Sequence, residues 1–438
     1  MHRRHFLHLS AMSVAGGLAL APRRVLAAAA RPVPSPAQLA WQQDELAMFL
    51  HFGVNTFTDR EWGDGSESPG IFDPARLDAR QWARSAKAAG FRALVLTAKH
   101  HDGFCLWPTR TTEHSVASSP FRSGTGDVVR EFVDACRAEG LKAGLYLSPW
   151  DRNHPAYGDS PRYNDVYQAQ LTELLTNYGT ISDVWFDGAN GEGPNGKRQV
   201  YDWPRTWATV RRLQPQAVIF SDAGPDVRWC GNERGSAGDP NWSTVDPGIV
   251  TYPGADGPTI VPSLQHGDPA GSVWRPAEAD VSIRPGWFHH AAEDAKVRTT
   301  DNLVDLYCSS VGRNSKLLLN VPPTRDGLLH DTDVARLLEF RTQRDALLRQ
   351  GAHKADDELD FGAVVTISAA RLAERIATGQ RVARYTLERF HDGAWTTLTS
   401  GTTIGYARIE RFPPTPARRL RVRVDEAVDA PGRVSIEA

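Results

Sequence analysis

The chain is poor in sulfur and in net charge, with 3 Met and 4 Cys in 438 residues. Cys105, Cys136, Cys230 and Cys308 stand far apart, and no Cys-x-x-Cys pair occurs. That disfavours a zinc knuckle or a thioredoxin-like site. Each cysteine lies in its own apolar context, which favours free buried thiols over disulfides, even where export permits bridges. The formal charge is only −2, so nothing draws the chain electrostatically to nucleic acid or to an anionic membrane. The N-terminal apolar stretch, residues 9–20, is too short for a stable membrane span. No Gly-x-Gly-x-x-Gly follows the first strand candidate, which weighs against an open doubly wound sheet. The last ninety or so residues lack a dense set of acids or histidines, so that part reads as structural or accessory.

What is present is ordered. Arg3-Arg4-His5-Phe6-Leu7, the apolar stretch and then Val25-Leu-Ala-Ala-Ala-Ala30 follow the plan of an export signal: charged, apolar, small-residue cleavage site. The paired arginines resemble a twin-arginine signal, and an ordinary secretion signal is the alternative. Residues 1–30 are therefore set aside from the fold. The mature protein is expected in the bacterial periplasm or outside the cell, with no membrane partner once the signal is cleaved.

From about residue 45 to 345, apolar runs alternate with amphipathic stretches. The runs lie at 48–52, 93–97, 143–147, 183–186, 217–221 and 316–320, with a weaker one at 281–283. Near-continuous apolar runs suit strands covered on both faces. Helical patterns at 79–89, 127–139, 163–178, 204–213 and 299–309 fall between them, with Gly90 and Gly140 placed as C-caps. This alternation predicts an α/β fold, a (β/α)8-like TIM-type barrel over residues 31–348. Residues 224–285, rich in Gly, Pro, Asp and Trp, break the rhythm and read as a long functional segment. After about residue 352 come alternating strands near 364–368, 381–390, 395–398, 407–412 and 419–424. They predict a C-terminal β-sandwich domain over 349–438.

The barrel strands end in polar residues, and a barrel keeps its chemistry at those ends. The first gives His51-Phe-Gly53, the second Lys99-His-His-Asp-Gly-Phe104, the third leads to Ser148-Pro-Trp-Asp151, and the fourth gives Asp187. Asp187 suits a nucleophile or base; as a bland alternative it caps the next helix. The histidines suit either metal ligation or hydrogen bonds to vicinal hydroxyls of a sugar. Neighbours on a strand face opposite ways, which weighs against joint ligation by His100 and His101.

Together His51-Phe-Gly, Glu61-Trp-Gly, Lys99-His-His-Asp-Gly-Phe, Trp185-Phe-Asp-Gly and Arg284-Pro-Gly-Trp287 resemble glycoside hydrolase family 29, the α-L-fucosidases, over roughly residues 40–345. The segment Asp226-Val-Arg-Trp-Cys-Gly-Asn-Glu233 is similar to the subfamily that cleaves α-1,3 and α-1,4 linkages on branched glycans. The resemblance implies a retaining hydrolase that needs no metal or other cofactor. Its substrate is a fucosylated oligosaccharide or glycoprotein glycan. Asp187 matches the nucleophile and Glu233 the acid/base. His51, Glu61, His100 and His101 match sugar-contacting positions. Tyr146 and Arg228 are further carry-overs; Arg228 alternatively braces the nucleophile. Trp287 is a candidate apolar wall, and Trp150 a stacking platform for the leaving group. Asp222 and Asp102 are expected to orient neighbours. Two alternatives stand: a broad-specificity fucosidase with Glu278 as acid/base, and a metal-dependent barrel hydrolase that uses His51, His100 and an aspartate.

Overall fold

Eight short parallel strands form the frame of the computed structural model, which describes residues 31–347 and 353–438. They are Leu46–Leu50, Ala93–Lys99, Lys142–Leu147, Asp183–Trp185, Val218–Phe220, Arg228–Trp229, Ala277–Ser282 and Ser315–Asn320, here the first to eighth barrel strands. Around the sheet the order is fifth, fourth, third, second, first, eighth, seventh, sixth. The ring nearly closes between fifth and sixth: Phe220 bridges Val227 in parallel, and Val227 N–H donates to Ile219 O at 3.3 Å. The result is a TIM-like barrel. The export-signal expectation concerns residues outside the described ones. Among the described residues no helix is long and apolar enough to cross a membrane.

Both strand faces are dry. Phe49, Val95, Tyr146, Trp185, Phe220 and Leu318 fill the barrel interior. Met48, Leu94, Leu145, Val184 and Leu319 point outward into a core shared with the helices through Trp82, Phe132, Leu171 and Val210. That two-sided burial is why the strands read as unbroken apolar runs. The helices begin where a side chain satisfies free N–H groups. Asp78 accepts from Gln81 N–H ahead of Ala79–Ala88, Asp127 from Arg130 N–H ahead of Val128–Glu139, and Asp202 from Arg205 N–H ahead of Trp203–Leu213. Gly140 ends its helix in the left-handed region, φ +71°, where a Cβ is penalised.

Two expectations need correction. Residues 224–285 are not a structureless insertion, because they contain the sixth and seventh barrel strands. The sixth has only two residues and starts on Arg228. The seventh left only the weak run at 281–283, because Glu278 and Asp280 lie inside the strand and both are buried. A strand that buries carboxylates carries no apolar signature.

The C-terminal part is a six-stranded antiparallel sheet with its own core, including Leu372, Tyr385, Leu387, Leu420 and Ile436. The runs expected at 407–412 and 419–424 are one strand, Arg408–Ala427. The proline-rich stretch Pro413-Pro-Thr-Pro416 suggests a break, yet Pro416 pairs with Thr366. A register shift between Ile367 and Ala369 absorbs it, as irregular ladders tolerate proline.

Candidate active site

Side chains two residues apart on a strand share a face. On the fourth strand this stacks Asp183, Trp185 and Asp187 up the barrel interior. Asp183 sits at the floor, where Trp41 Nε1 donates to it at 3.1 Å. Asp187 stands at the mouth. Tyr146 Oη donates to Asp187 Oδ2 at 3.0 Å, and Ala189 N–H donates to Oδ1 at 2.6 Å. The two carboxylate oxygens are thus held in one orientation. Burial first, then the charge of Asp187, pushes the Tyr146 hydroxyl well above its ordinary range, so it remains a donor.

The histidines lie beside this carboxylate. His51 Nδ1 is 2.8 Å from Asn320 Oδ1. Asn320 Nδ2 donates to Ser282 Oγ at 2.9 Å and to Trp287 O at 2.8 Å, which fixes Oδ1 as the acceptor. His51 Nδ1 therefore carries the proton and Nε2 is a free acceptor. Burial pushes the His51 pKa down to about 3, so the ring is neutral. His101 Nδ1 is 2.8 Å from Ser148 Oγ, which itself donates to Trp150 O at 2.7 Å. The same logic leaves His101 Nε2 as an acceptor, 3.8 Å from Asp187 Oδ2. His100 packs on His101, ring centroids 4.1 Å apart. Burial, with the neighbouring histidines, holds His100 well below its usual pKa. The row offers imidazole acceptors to hydroxyl protons.

The strand of His100 has ended at Lys99, so both neighbouring histidines stay on the site. The alternation argument against them applies only inside a strand. Among the described residues no group of three or more His, Cys, Asp or Glu is arranged to hold a metal ion. All four cysteines are buried and unpaired.

Aromatic rings wall the cleft. The Trp287 ring lies 5.0 Å from His51, and Trp150 lies 5.0 Å from His101, with its Nε1 on Glu192 O at 3.0 Å. Glu61 ties the Trp287 loop down: it accepts from Trp287 N–H, from Phe288 N–H at 3.3 Å, and lies 3.2 Å from His290 Nε2. Trp62, 58% exposed, stands 6.2 Å from the His101 ring. It escaped the sequence reading, although it sits in the Glu61-Trp-Gly motif.

Glu233 comes from the loop after the sixth strand. The residue as a whole is exposed, but its carboxyl is partly buried and feels Trp287 and Asp187. Partial burial and the Asp187 charge raise its pKa, while a hydrogen bond from Trp287 opposes the shift. A second buried carboxyl, Asp280, lies close by and accepts from Trp229 Nε1 at 2.7 Å. Burial, then the charges of Glu233 and Asp187, push Asp280 up to about 8. Sequence reading missed Asp280 because nothing local distinguishes it.

Two candidates, Glu278 and Arg228, fall elsewhere, while Asp222 and Asp102 orient loops. Glu278, the rival acid/base, is the second residue of the seventh strand, paired with Lys316. That is the floor of the barrel, in the electrostatic company of Asp183 and Lys316 and away from the strand C-termini. Arg228 is spent on the loops: its guanidinium donates to Leu264 O at 2.9 Å, Asn241 Oδ1 at 2.8 Å and Arg275 O. It braces backbone, not sugar. Asp222 accepts from Gly254 N–H at 3.0 Å and clasps the loop over Gly188, an orienting task. Asp102 likewise accepts from Phe104 N–H at 2.7 Å.

The α-L-fucosidase family model matches residues 64–342. Alpha-L-fucosidase 1 of Arabidopsis thaliana is 44% identical, over 90% of this chain and 85% of the relative. A glycoside hydrolase 29 family member from a rumen bacterium superposes with a TM-score of 0.86 at 42% identity, over 93% of this chain and 77% of the other. A Ruminococcus gnavus GH29 fucosidase in complex with fucose gives 0.80 at 31% identity, over 93% and 94%. The family model over most of the barrel, with relatives and solved fucosidases matched along nearly the whole described chain, places this protein in glycoside hydrolase family 29, the α-L-fucosidases.

Proposed function

We propose that the chain is an exported, retaining α-L-fucosidase that removes terminal α-1,3- or α-1,4-linked L-fucose from branched oligosaccharides or glycoprotein glycans. One observation carries the residue roles. Asp187 and Glu233 are two carboxyls in unlike settings, and the charge of the first helps keep a proton on the second. Unlike environments are how a carboxyl pair divides nucleophile from acid.

In the first displacement Asp187 attacks the anomeric carbon while Glu233 gives its proton to the leaving oxygen. The glycosidic bond breaks and a fucosyl ester forms on Asp187. Glu233, now a carboxylate, takes a proton from water, and the resulting attack at the anomeric carbon frees Asp187. Such chemistry needs the carboxyls about 5–5.5 Å apart. Tyr146 aims the nucleophile. The His51 and His101 Nε2 atoms accept sugar hydroxyl protons, and Trp287 offers an apolar wall.

The linkage rests on the likeness of residues 226–233 to the branched-glycan subfamily, and export rests on Arg3-Arg4 and the apolar stretch behind them. Asp187→Ala is expected to abolish turnover, with partial return on adding azide or formate; a fully active variant refutes the nucleophile. Hydrolysis of Lewis trisaccharides with little release from a simple aryl fucoside supports the linkage, and the reverse favours a broad-specificity enzyme. Fractionation of the native host tests export: a cytoplasmic enzyme refutes it.

A further inference from the structure

The loop that carries Glu233 starts and ends on one buried polar knot, and the C-terminal β domain supplies part of it. Arg228 stands at the start of the loop and Asn241 at its end. Arg228 Nη2 donates to Asn241 Oδ1 at 2.8 Å, which ties the base of the loop shut. Asn241 Nδ2 donates to Arg313 O at 2.7 Å, on the turn that feeds the eighth barrel strand. The β domain reaches the same residue from the other side. Asn241 N–H donates to Thr403 Oγ1 at 2.9 Å, and Gln380 Nε2 donates to Asn241 O at 3.1 Å. Ser243 N–H donates to Gln380 Oε1 at 2.8 Å. Two residues before Asn241, Asp239 accepts from Arg408 Nη1 at 2.9 Å and from the Thr402 hydroxyl. Arg228, Asn241, Ser243, Gln380 and Thr403 are all buried, so none of these groups can exchange its partner for water.

Between the anchors the path is pinned to the barrel. Cys230 N–H donates to Glu278 O at 2.9 Å, Gly235 N–H to Asp280 O at 3.1 Å, and Ala237 N–H to Ser309 O at 2.9 Å. Glu233 lies between the first two of these. A loop of this kind has no ladder to hold its register; its geometry is that of its anchors. Misplacing a reacting group by about 1 Å costs on the order of 100-fold in rate.

We propose that the C-terminal β domain positions the general acid: Gln380 and Thr403, acting through Asn241, set where the Glu233 carboxyl meets the leaving oxygen. The inference rests on the acid/base reading of Glu233. Gln380 and Thr403 are positioning residues; the bonds given above end on loop backbone, not on the carboxylates or histidines of the site.

The test compares leaving groups in the full-length enzyme. Fluoride departs from α-L-fucosyl fluoride with little need of a proton, whereas the alkoxide of a fucosylated trisaccharide needs one. The ratio kcat/KM reports the first displacement in both cases. Thr403→Val and Gln380→Ala are expected to lower kcat/KM on the trisaccharide by about 10- to 100-fold, to lower it on the fluoride by less than about threefold, and to displace the alkaline limb on the trisaccharide. Leu387→Ala, in the core of the β domain, lowers Tm without that split. If Gln380→Ala does not fold, Thr403→Val, which loses one hydroxyl, carries the comparison. Glu233→Gln is the reference. A split in Glu233→Gln with none in Thr403→Val overturns this inference alone. No split in Glu233→Gln refutes the acid role itself, and this inference with it.

Discussion

Asn320 decides which nitrogen of His51 faces the cleft. Its carboxamide oxygen accepts from Nδ1–H at 2.8 Å, while its amide nitrogen is committed to Ser282 and the Trp287 carbonyl. The amide cannot flip without breaking both, so His51 presents Nε2 as an acceptor. Asn320→Asp places a carboxylate against the ring and favours the imidazolium. Nε2 then becomes a donor. We expect fucose affinity, measured by calorimetry near pH 6, to fall about tenfold, the worth of one good hydrogen bond. Unchanged affinity would count against an acceptor role for His51.

Tyr146 is the partner that aims Asp187. Tyr146→Phe deletes one hydrogen bond to a carboxylate, a contact worth about 1.5–3 kcal/mol, or roughly 10- to 100-fold in rate. The loss should fall on kcat with KM little changed, because the contact is to the proposed nucleophile. A variant with wild-type kcat and raised KM would assign Tyr146 to sugar binding instead.

Trp287 is the contact that favours the charged form of Glu233, against burial and the Asp187 charge. Trp287→Phe keeps an apolar ring and removes that donor. The Glu233 pKa then rises further, and the acid holds its proton to higher pH. The alkaline limb of kcat/KM on an oligosaccharide is expected to move upward. A shift downward, or none, would show that the indole does not act on Glu233.

The barrel floor makes stability depend on pH. Burial, with the charge of Asp183 and against that of Lys316, pushes Glu278 up to about 8 from an unfolded value near 4.5. Trp185 Nε1 donates to it at 3.0 Å, and Asp280 adds a further like charge from the same strand. The folded state therefore binds a proton that the unfolded chain releases, so stability is lost as pH rises from about 4.5 to about 8 and levels off above. Glu278→Gln keeps an acceptor for Trp185 and cannot ionise. Its Tm is expected to exceed that of the native protein at pH 8 by a few degrees, on the order of 1 kcal/mol, with a smaller difference at pH 5. A parallel pair of Tm–pH curves would refute this.

By itself the sequence determined the architecture and the family. Strands covered on both faces leave apolar runs, and Gly90 and Gly140 mark where helices end; both signals are local. The polar residues that end those runs, His51, His100, His101 and Asp187, were legible for the same reason, and the family motifs suggested the roles proposed for them. The sequence could not place what depends on pairing across the barrel. Glu278 and Asp280 look alike in a single strand, two residues apart on the same face. Register with Lys316 puts Glu278 on the floor, while contact with Trp229 puts Asp280 beside Glu233. Arg228 and Tyr146 were equally ambiguous: one strand position turns the guanidinium into loop carbonyls, another turns the phenol onto Asp187. The knot that joins Arg228, Asn241 and Gln380 spans 152 positions of chain. Only the tertiary structure closes that distance, because the hydrogen bonds that define it are made by groups that meet only after the barrel and the β domain have both formed.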